Sequence, residues 1–263
     1  MLVHDDEAAM SGRLSGQVAM VTGSSRGIGK AVAQAYLREG ARVVVNSRDP
    51  RAVATVAEEL GEGAAGIAAD VSTEAGAEAL IQGTLGAFGA LDVLVNNAGT
   101  SMVRDSIDLS LDDWRRSLDL NLTGVFLCSQ RAARHMLACG HGCIVNTASI
   151  QAFAPFPRRL AYGASKAAVV MLTRILAAEW APAIRVNAIA PGYVRTEMTE
   201  ELLAQGRVDV GAIAGRTPQR RLAEVGDLAE AYVFLAADGS SFVTGETLVV
   251  DGGWLAFGAY PGI

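Results

Sequence analysis

Cysteine is scarce in this chain: Cys128, Cys139 and Cys143 are its only thiols. Their odd number, in a sequence without secretory features, argues against a disulfide framework and for reduced thiols. His135, Cys139, His141 and Cys143 fall close together. They lie where a helix should end and a strand begin, without the paired ligand clusters of a closed zinc site, so no metal is expected. Charge is sparse as well, at 19% of residues, with a net charge of −6 and a pI near 5.1. Lys and Arg never gather into the basic face that phosphate neutralisation needs, which argues against a nucleic-acid partner. No apolar run approaches the roughly 18 residues that span a bilayer. The opening Met1-Leu2-Val3-His4-Asp5-Asp6-Glu7 lacks the basic and apolar regions of a signal peptide. A cytoplasmic protein with no membrane contact is the expectation. Internal repeats and linkers are missing too. A chain of 263 residues that is 51% hydrophobic is not disordered and suits one domain with a sizeable core.

What is present is organised around Val18 to Arg48. An apolar run, Val18 to Val21, meets Thr22-Gly23-Ser24-Ser25-Arg26-Gly27-Ile28-Gly29, then an amphipathic segment and a second run, Val43 to Val45. Strand, glycine turn, helix and strand in about thirty residues is the arrangement of a dinucleotide site. Side chains at Gly23 or Gly29 are expected to hold the backbone off a pyrophosphate, and one at Gly27 to crowd helix against sheet. Ser25, Arg26 and Ile28 complete the loop, and the helix N-terminus faces the phosphates. Further on, Asp49-Pro50 opens a helix that Gly61 to Gly63 ends, and Ile67-Ala68-Ala69 reads as a third strand. Ser72 caps a helix reaching about Phe88, and Val93 to Val95 is a fourth strand. Ser110 and Asp113 open a long helical region to Gly140, and Ile144 to Asn146 is strand five. A helix over 162–180 is apolar on more than one face, so it should meet both the sheet and a subunit. Ile184 to Ile189, a polar excursion over 200–210, a helix over 227–236 and Leu248 to Val250 follow. The pattern predicts an α/β fold: a Rossmann-type, doubly wound parallel sheet in three layers, with ligands at the carboxyl ends of the strands. Residues 1–14 read as a flexible lead-in and 15–263 as one domain.

Tyr162 and Lys166 are four apart on a predicted helix and so share a face. An ammonium there should favour the phenolate and lower a pKa normally near 10, letting the tyrosine exchange protons near neutrality. Ser149 lies just past strand five, and Asn96-Asn97-Ala98-Gly99 just past strand four, both at the ligand-bearing edge.

Taken in order, Thr22 to Gly29, Asp70-Val71, Asn96 to Gly99, Asn121, Ser149, Tyr162 with Lys166, and Pro191-Gly192 resemble the short-chain dehydrogenase/reductase family over about Leu14 to Trp254. The resemblance implies that Tyr162 is the acid/base, that Lys166 lowers its pKa and holds the nicotinamide ribose, and that Ser149 polarises the substrate oxygen. Asn121 would keep a water on the proton path. Asp70 and Val71 would border the adenine, and Asn97, Ala98 and Gly99 would line the cofactor cleft. Pro191, Gly192, Val194 and Thr196 would close over the nicotinamide. At the end of strand two stand Asn46, Ser47 and Arg48 where an acid would select NAD, and Asp49 is explained as a helix cap. Arg48 and Arg26 can reach a phosphate, so NADP is expected ahead of NAD. A nucleotide-sensing regulator on the same fold would usually lack the tyrosine, lysine or serine. Two subfamilies look nearest: gluconate 5-dehydrogenase-like polyol enzymes and 3-oxoacyl-[acyl-carrier-protein] reductases. The basic residues that steer an acidic carrier are replaced here by Gly140, Cys143 and Ala178, while Arg158 and Arg159 could meet a small carboxylate. The expectation is a ketone/alcohol oxidoreductase on a small polar substrate such as a keto-sugar acid. Relatives are commonly homotetramers, and the apolar 167–172 run with Trp254, Leu255, Phe257 and Tyr260 suits one.

Overall fold

Four consecutive buried residues make the first strand, β1 (Val18–Val21), and they read as an unbroken apolar run because helices cover the sheet on both faces. The computed structural model describes residues 12–204 and 209–258. After β1 come α1 (Gly27–Arg38), β2 (Arg42–Ser47), α2 (Pro50–Leu60), β3 (Ala64–Ala68), α3 (Glu74–Phe88) and β4 (Val93–Asn96). The second half adds α4 (Leu111–Leu118), α5 (Gly124–Cys139), β5 (Gly142–Thr147), α6 (Leu160–Trp180), β6 (Ile184–Pro191), β7 (Val194–Arg195) and α7 (Glu197–Ala204). It closes with α8 (Val210–Arg216), β8 (Ala223–Glu224), α9 (Val225–Ala236) and β9 (Thr247–Val250). Seven strands form one parallel sheet in the order β3-β2-β1-β4-β5-β6-β9. The chain order reverses between β1 and β4, so a crevice opens there at the strands' carboxyl ends.

Alternation along the strands divides the core. Ala19, Val21, Val43, Val45 and Val145 face Val32 and Tyr36 of α1 and Leu228 and Tyr232 of α9. Met20, Val44, Leu94 and Ile144 face the other way, onto Leu80 of α3, Met136 of α5 and Leu176 of α6. These are the three layers expected, in one domain. Helix α6 is the one described helix long and apolar enough to cross a bilayer. Here it is a core helix: Val169, Val170, Thr173, Leu176 and Ala177 are buried, while Met171 and Ile175 are half exposed on its outer side.

Several boundaries differ from expectation. The lead-in is shorter than 1–14, because Leu14 is fully buried and Arg13 pairs with Glu39 and Glu230; residues 1–11 lie outside the described residues. Strand β3 ends at Ala68, and the cap of α3 is Thr73, whose hydroxyl accepts from Gly76 N. Ser72 cannot cap because its N–H and hydroxyl both donate to Asp70 Oδ1. The helical region after Ser110 is broken by a π turn at Asp119–Thr123, a form that recurs at functional sites. Helix α7 occupies part of the expected polar excursion, of which 205–208 are not described. Tyr260 also lies outside the described residues.

Candidate active site

The glycine loop after β1 is held by its neighbours rather than by its own bonds alone. Thr22 Oγ1 accepts from the N–H groups of Asn97 and Ala98, both at 3.0 Å. The Asn97 amide donates back to Thr22 O at 3.0 Å and Gly23 O at 2.9 Å. Asn46, buried at the end of β2, accepts from Gly23 N and donates to Ile67 O and Ala69 O. The ends of β1, β2, β3 and β4 are thereby tied together around the crevice.

This tie reassigns the glycines. A Cβ on Gly29 would stand 2.5 Å from Asn97 Nδ2 and 2.6 Å from Gly23 O, so Gly29 is the close-packing position. Gly27, at φ +57°, would meet only the Thr196 methyl at 3.8 Å and looks into open space. The close-packing role expected of Gly27 falls to Gly29, and Gly23 is required by the approach of Ala98, 2.8 Å from its would-be Cβ.

The crevice is a cavity of about 370 Å³. Gly23, Ser25, Arg26, Gly27 and Ile28 line one end, with Ser47, Arg48, Asp70 and Val71 beside them. Asn97, Ala98, Gly99, Tyr162, Lys166 and Thr196 line the rest. Gly29, Asn121, Ser149, Pro191, Gly192 and Val194 are not among its walls. Val194 is buried in the core, Pro191 ends β6 beside Val250, and Gly192 lets Asp251 approach, 2.8 Å from its would-be Cβ. Sequence reasoning missed the lining residues Ala69, Thr100, Ser101, Leu120, Thr147 and Glu197. Thr100 and Ser101 directly follow Gly99, and Thr147 ends strand β5 two residues before Ser149, so position was the available signal. Asp70 borders the cavity with its carboxylate turned onto Ser72. Burial raises that group, but the two Ser72 bonds and the Arg48 charge outweigh it and hold it below the usual range.

On the far side, Ser149 caps a short 3₁₀ turn, accepting from Gln151 N at 3.1 Å, and its hydroxyl is near enough to Tyr162 to favour the phenolate. Lys166 is one of two lysines in the chain. It is buried, donates to Thr147 O at 2.7 Å, and its Nζ lies 5.7 Å from the Tyr162 ring centre. The expected depression of Tyr162 by Lys166 is not what the protein shows. Burial pushes the phenol up, opposed by the Ser149 hydroxyl and the Arg159 charge. Burial also pushes Lys166 down to about 8, which weakens it as a source of positive charge. Asn121, fully buried in the π turn, accepts from Thr100 N and donates to Thr100 O, both at 2.9 Å, and to Ser117 Oγ at 3.2 Å. Both its amide hydrogens are committed to protein partners. The thiol and imidazole run does not assemble: Cys143 is buried and donates to Leu235 O, while Cys139 lies 3.5 Å from His135 at the surface. Among the described residues no three metal-ligating side chains converge.

A family model described as enoyl-(acyl carrier protein) reductase matches residues 23–255. D-threitol dehydrogenase of Mycolicibacterium smegmatis is 40% identical over 246 residues, 92% of this chain and 94% of its own. A 3-oxoacyl-[acyl-carrier-protein] reductase of Synechocystis is 40% identical over 250 residues, covering 93% and 99%. The chain belongs to the short-chain dehydrogenase/reductase family. A solved member, a gluconate 5-dehydrogenase from Burkholderia cenocepacia in complex with NADP and tartrate, superposes with a TM-score of 0.88 at 39% identity, covering 93% of this chain and 97% of that one. As a member of this family the protein is a ketone/alcohol oxidoreductase. Equal identity to a polyol dehydrogenase and a carrier-protein reductase means that substrate must be read from this chain's own mouth residues.

In this short-chain dehydrogenase/reductase the loop before α6 contributes Phe156 to an aromatic cluster. Trp254 stacks on Phe156 with centroids 5.1 Å apart and planes at 22°, and Tyr193 leans on both at 6.3 and 6.4 Å. Of the two loop arginines, Arg158 turns out to pair with Asp105, whereas Arg159 Nη1 donates to the lining residue Ser101 at 2.6 Å.

Proposed function

We propose that the protein is an NADP(H)-preferring, cytoplasmic, homotetrameric reductase of a small polar ketone, with Tyr162 as proton donor. The observation that carries this reading is that Tyr162 and Lys166, with Ser149 close behind the tyrosine, line the same cavity as Arg26, Ser47 and Arg48. The cavity suits a dinucleotide: Gly27 presents an unfilled backbone to it, and the β1 loop directs the α1 N-terminus toward it. No acid stands at the end of β2 to hold a ribose 2′-hydroxyl, because Asp49 is spent capping α2 through Arg51 N. Arg48 and Arg26 are there instead, and both suit a 2′-phosphate. The bound cofactor would supply hydride to the carbonyl carbon.

The chain's own part is then proton and orientation chemistry. Ser149 donates to the substrate oxygen and Tyr162 gives it a proton as negative charge develops there. A phenol kept protonated by burial is in the correct state to donate in the reducing direction. Lys166, anchored on Thr147 O, has further hydrogens to hold a ribose and to compensate the phenolate that Tyr162 becomes. Asn121 acts by packing Thr100 rather than through a free amide. NADP in the Burkholderia relative supports the cofactor choice, and its tartrate supports a polar substrate.

The test pairs Tyr162→Phe with the unmodified protein, using NADPH absorbance on a ketone panel and cofactor fluorescence. Turnover should fall by more than about 10²-fold with NADPH binding kept, and NADPH should outperform NADH. Retained turnover removes Tyr162 from the mechanism, and an NADH preference removes the β2 argument.

A further inference from the structure

Four arginines lie on and around the loop before α6 and its aromatic cluster, and two of them face acids. Arg104 lies 3.8 Å from Asp113, Arg158 pairs with Asp105 at 3.2 Å, and Arg159 is held by Ser101. Arg216, at the last position of α8, is different: its guanidinium carbon lies over the Trp254 ring, 3.4 Å from the ring centre. No carboxylate among the described residues pairs with it. The nearby acid, Asp251, is consumed in the turn that carries Trp254, accepting from Gly253 N at 2.8 Å and Leu255 N at 2.7 Å. Stacking of this kind fixes the plane of a guanidinium and leaves its edge N–H groups to meet a ligand. Both cations are anchored on the same aromatic pair: Arg159 N donates to Phe156 O at 3.3 Å, Phe156 stacks on Trp254, and Arg216 lies over Trp254, in keeping with the action of both charges on the Tyr193 phenol. Arg159 ties this cluster to the cavity through the lining residue Ser101, and its charge also opposes the rise of the Tyr162 phenol. A chain of net charge −6 thus gathers two guanidinium groups around one aromatic cluster.

We propose that Arg159 and Arg216, set about the Phe156–Tyr193–Trp254 cluster, form the subsite for a carboxylate carried by the substrate a few bonds from its reacting carbonyl. This rests on the reading of Tyr162 as proton donor and adds the substrate's charge to it. Arg216 offers a planar fork from the aromatic side, and Arg159 a second cation from the loop before α6. Mutual repulsion between the two cations is relieved when an anion sits between them, so an acidic ketone is selected over a neutral one of the same shape. The aromatic wall limits that ketone to a short chain.

The test compares 5-ketogluconate with L-sorbose, which carries a hydroxymethyl group in place of the far carboxylate. The unmodified protein should favour the acid in kcat/KM. Arg216→Gln and Arg159→Gln should each cut that preference by about 10- to 100-fold, the share of a charge-assisted hydrogen bond. The loss should fall mainly in KM, L-sorbose should change far less, and Arg216→Lys should restore part of the preference. Melting temperature and NADPH binding check that the variants fold. Equal losses on both substrates, or no preference for the acid in the unmodified protein, overturn the subsite while leaving the oxidoreductase reading intact. Absence of turnover on every ketone overturns that reading as well.

Discussion

Lys166 carries a buried positive charge with a single protein acceptor, Thr147 O, and its stability cost has a definite pH signature. Burial lowers it from 10.5 to about 8. Below pH 8 folded and unfolded chains are both protonated, and the folded one bears the full cost. Between 8 and 10.5 the folded protein has released the proton while the unfolded chain keeps it, so stability rises with pH and the gain is complete above 10.5. That gap is worth about 3 kcal/mol. Cys128 and Cys143, pushed up from 9 by burial to about 12 and about 11, act in the opposite sense above pH 9, so total stability is a poor readout. The difference between Lys166→Met and the unmodified protein isolates the lysine. Urea melts should show the methionine variant's relative advantage greatest at about pH 7 and shrinking by about pH 10; a difference independent of pH would contradict the buried charge. The Tyr162 and Lys166 pair was legible because a helix repeats locally. The direction of the tyrosine's pKa was not, because desolvation depends on elements distant in sequence.

At the level of elements, the β1 loop and the start of α1 make the sharpest comparison. Gly29→Ala places a methyl against Asn97 and Gly23 O, atoms that already bond to each other, whereas Gly27→Ala meets open space at a left-handed φ. The second change should cost about 1–2 kcal/mol, the penalty of that conformation for an L-residue. The first should cost more, because neither backbone nor clasp can move aside. Thermal melts of the two variants decide it, and the reverse order would return the close-packing role to Gly27. Strand–turn–helix succession was legible from apolar runs and glycines. The division of labour among the glycines was not, since it depends on Asn97, some seventy residues away in the chain. The π turn that interrupts the helical region was also hidden, because Trp114, Leu118 and Phe126 keep a helical spacing through it.

For the whole molecule, the parallel sheet and its three layers follow from alternating strands and helices with short loops, and they were legible. Assembly is the part a single chain leaves open. Met171 and Ile175 on α6, with Phe126 and Leu137 on α5, are partly exposed apolar residues on the two long helices. If those helices meet their counterparts in a tetramer, light scattering should give four times the 27.3 kDa chain mass. Met171→Glu should then lower that mass, since a desolvated carboxylate at a contact is not tolerated. An unmodified monomer would refute the assembly.

The sheet itself is a single chain thick, and one side chain uses that thinness. Tyr232, on α9 behind the sheet, brings its hydroxyl within 2.7 Å of Thr147 Oγ1, and the carbonyl of the same threonine holds Lys166 on the other side. Tyr36 of α1 in turn donates to Tyr232 O at 3.1 Å. The rear helical layer therefore reaches through the sheet to the lysine's own acceptor, with one threonine as the shared post.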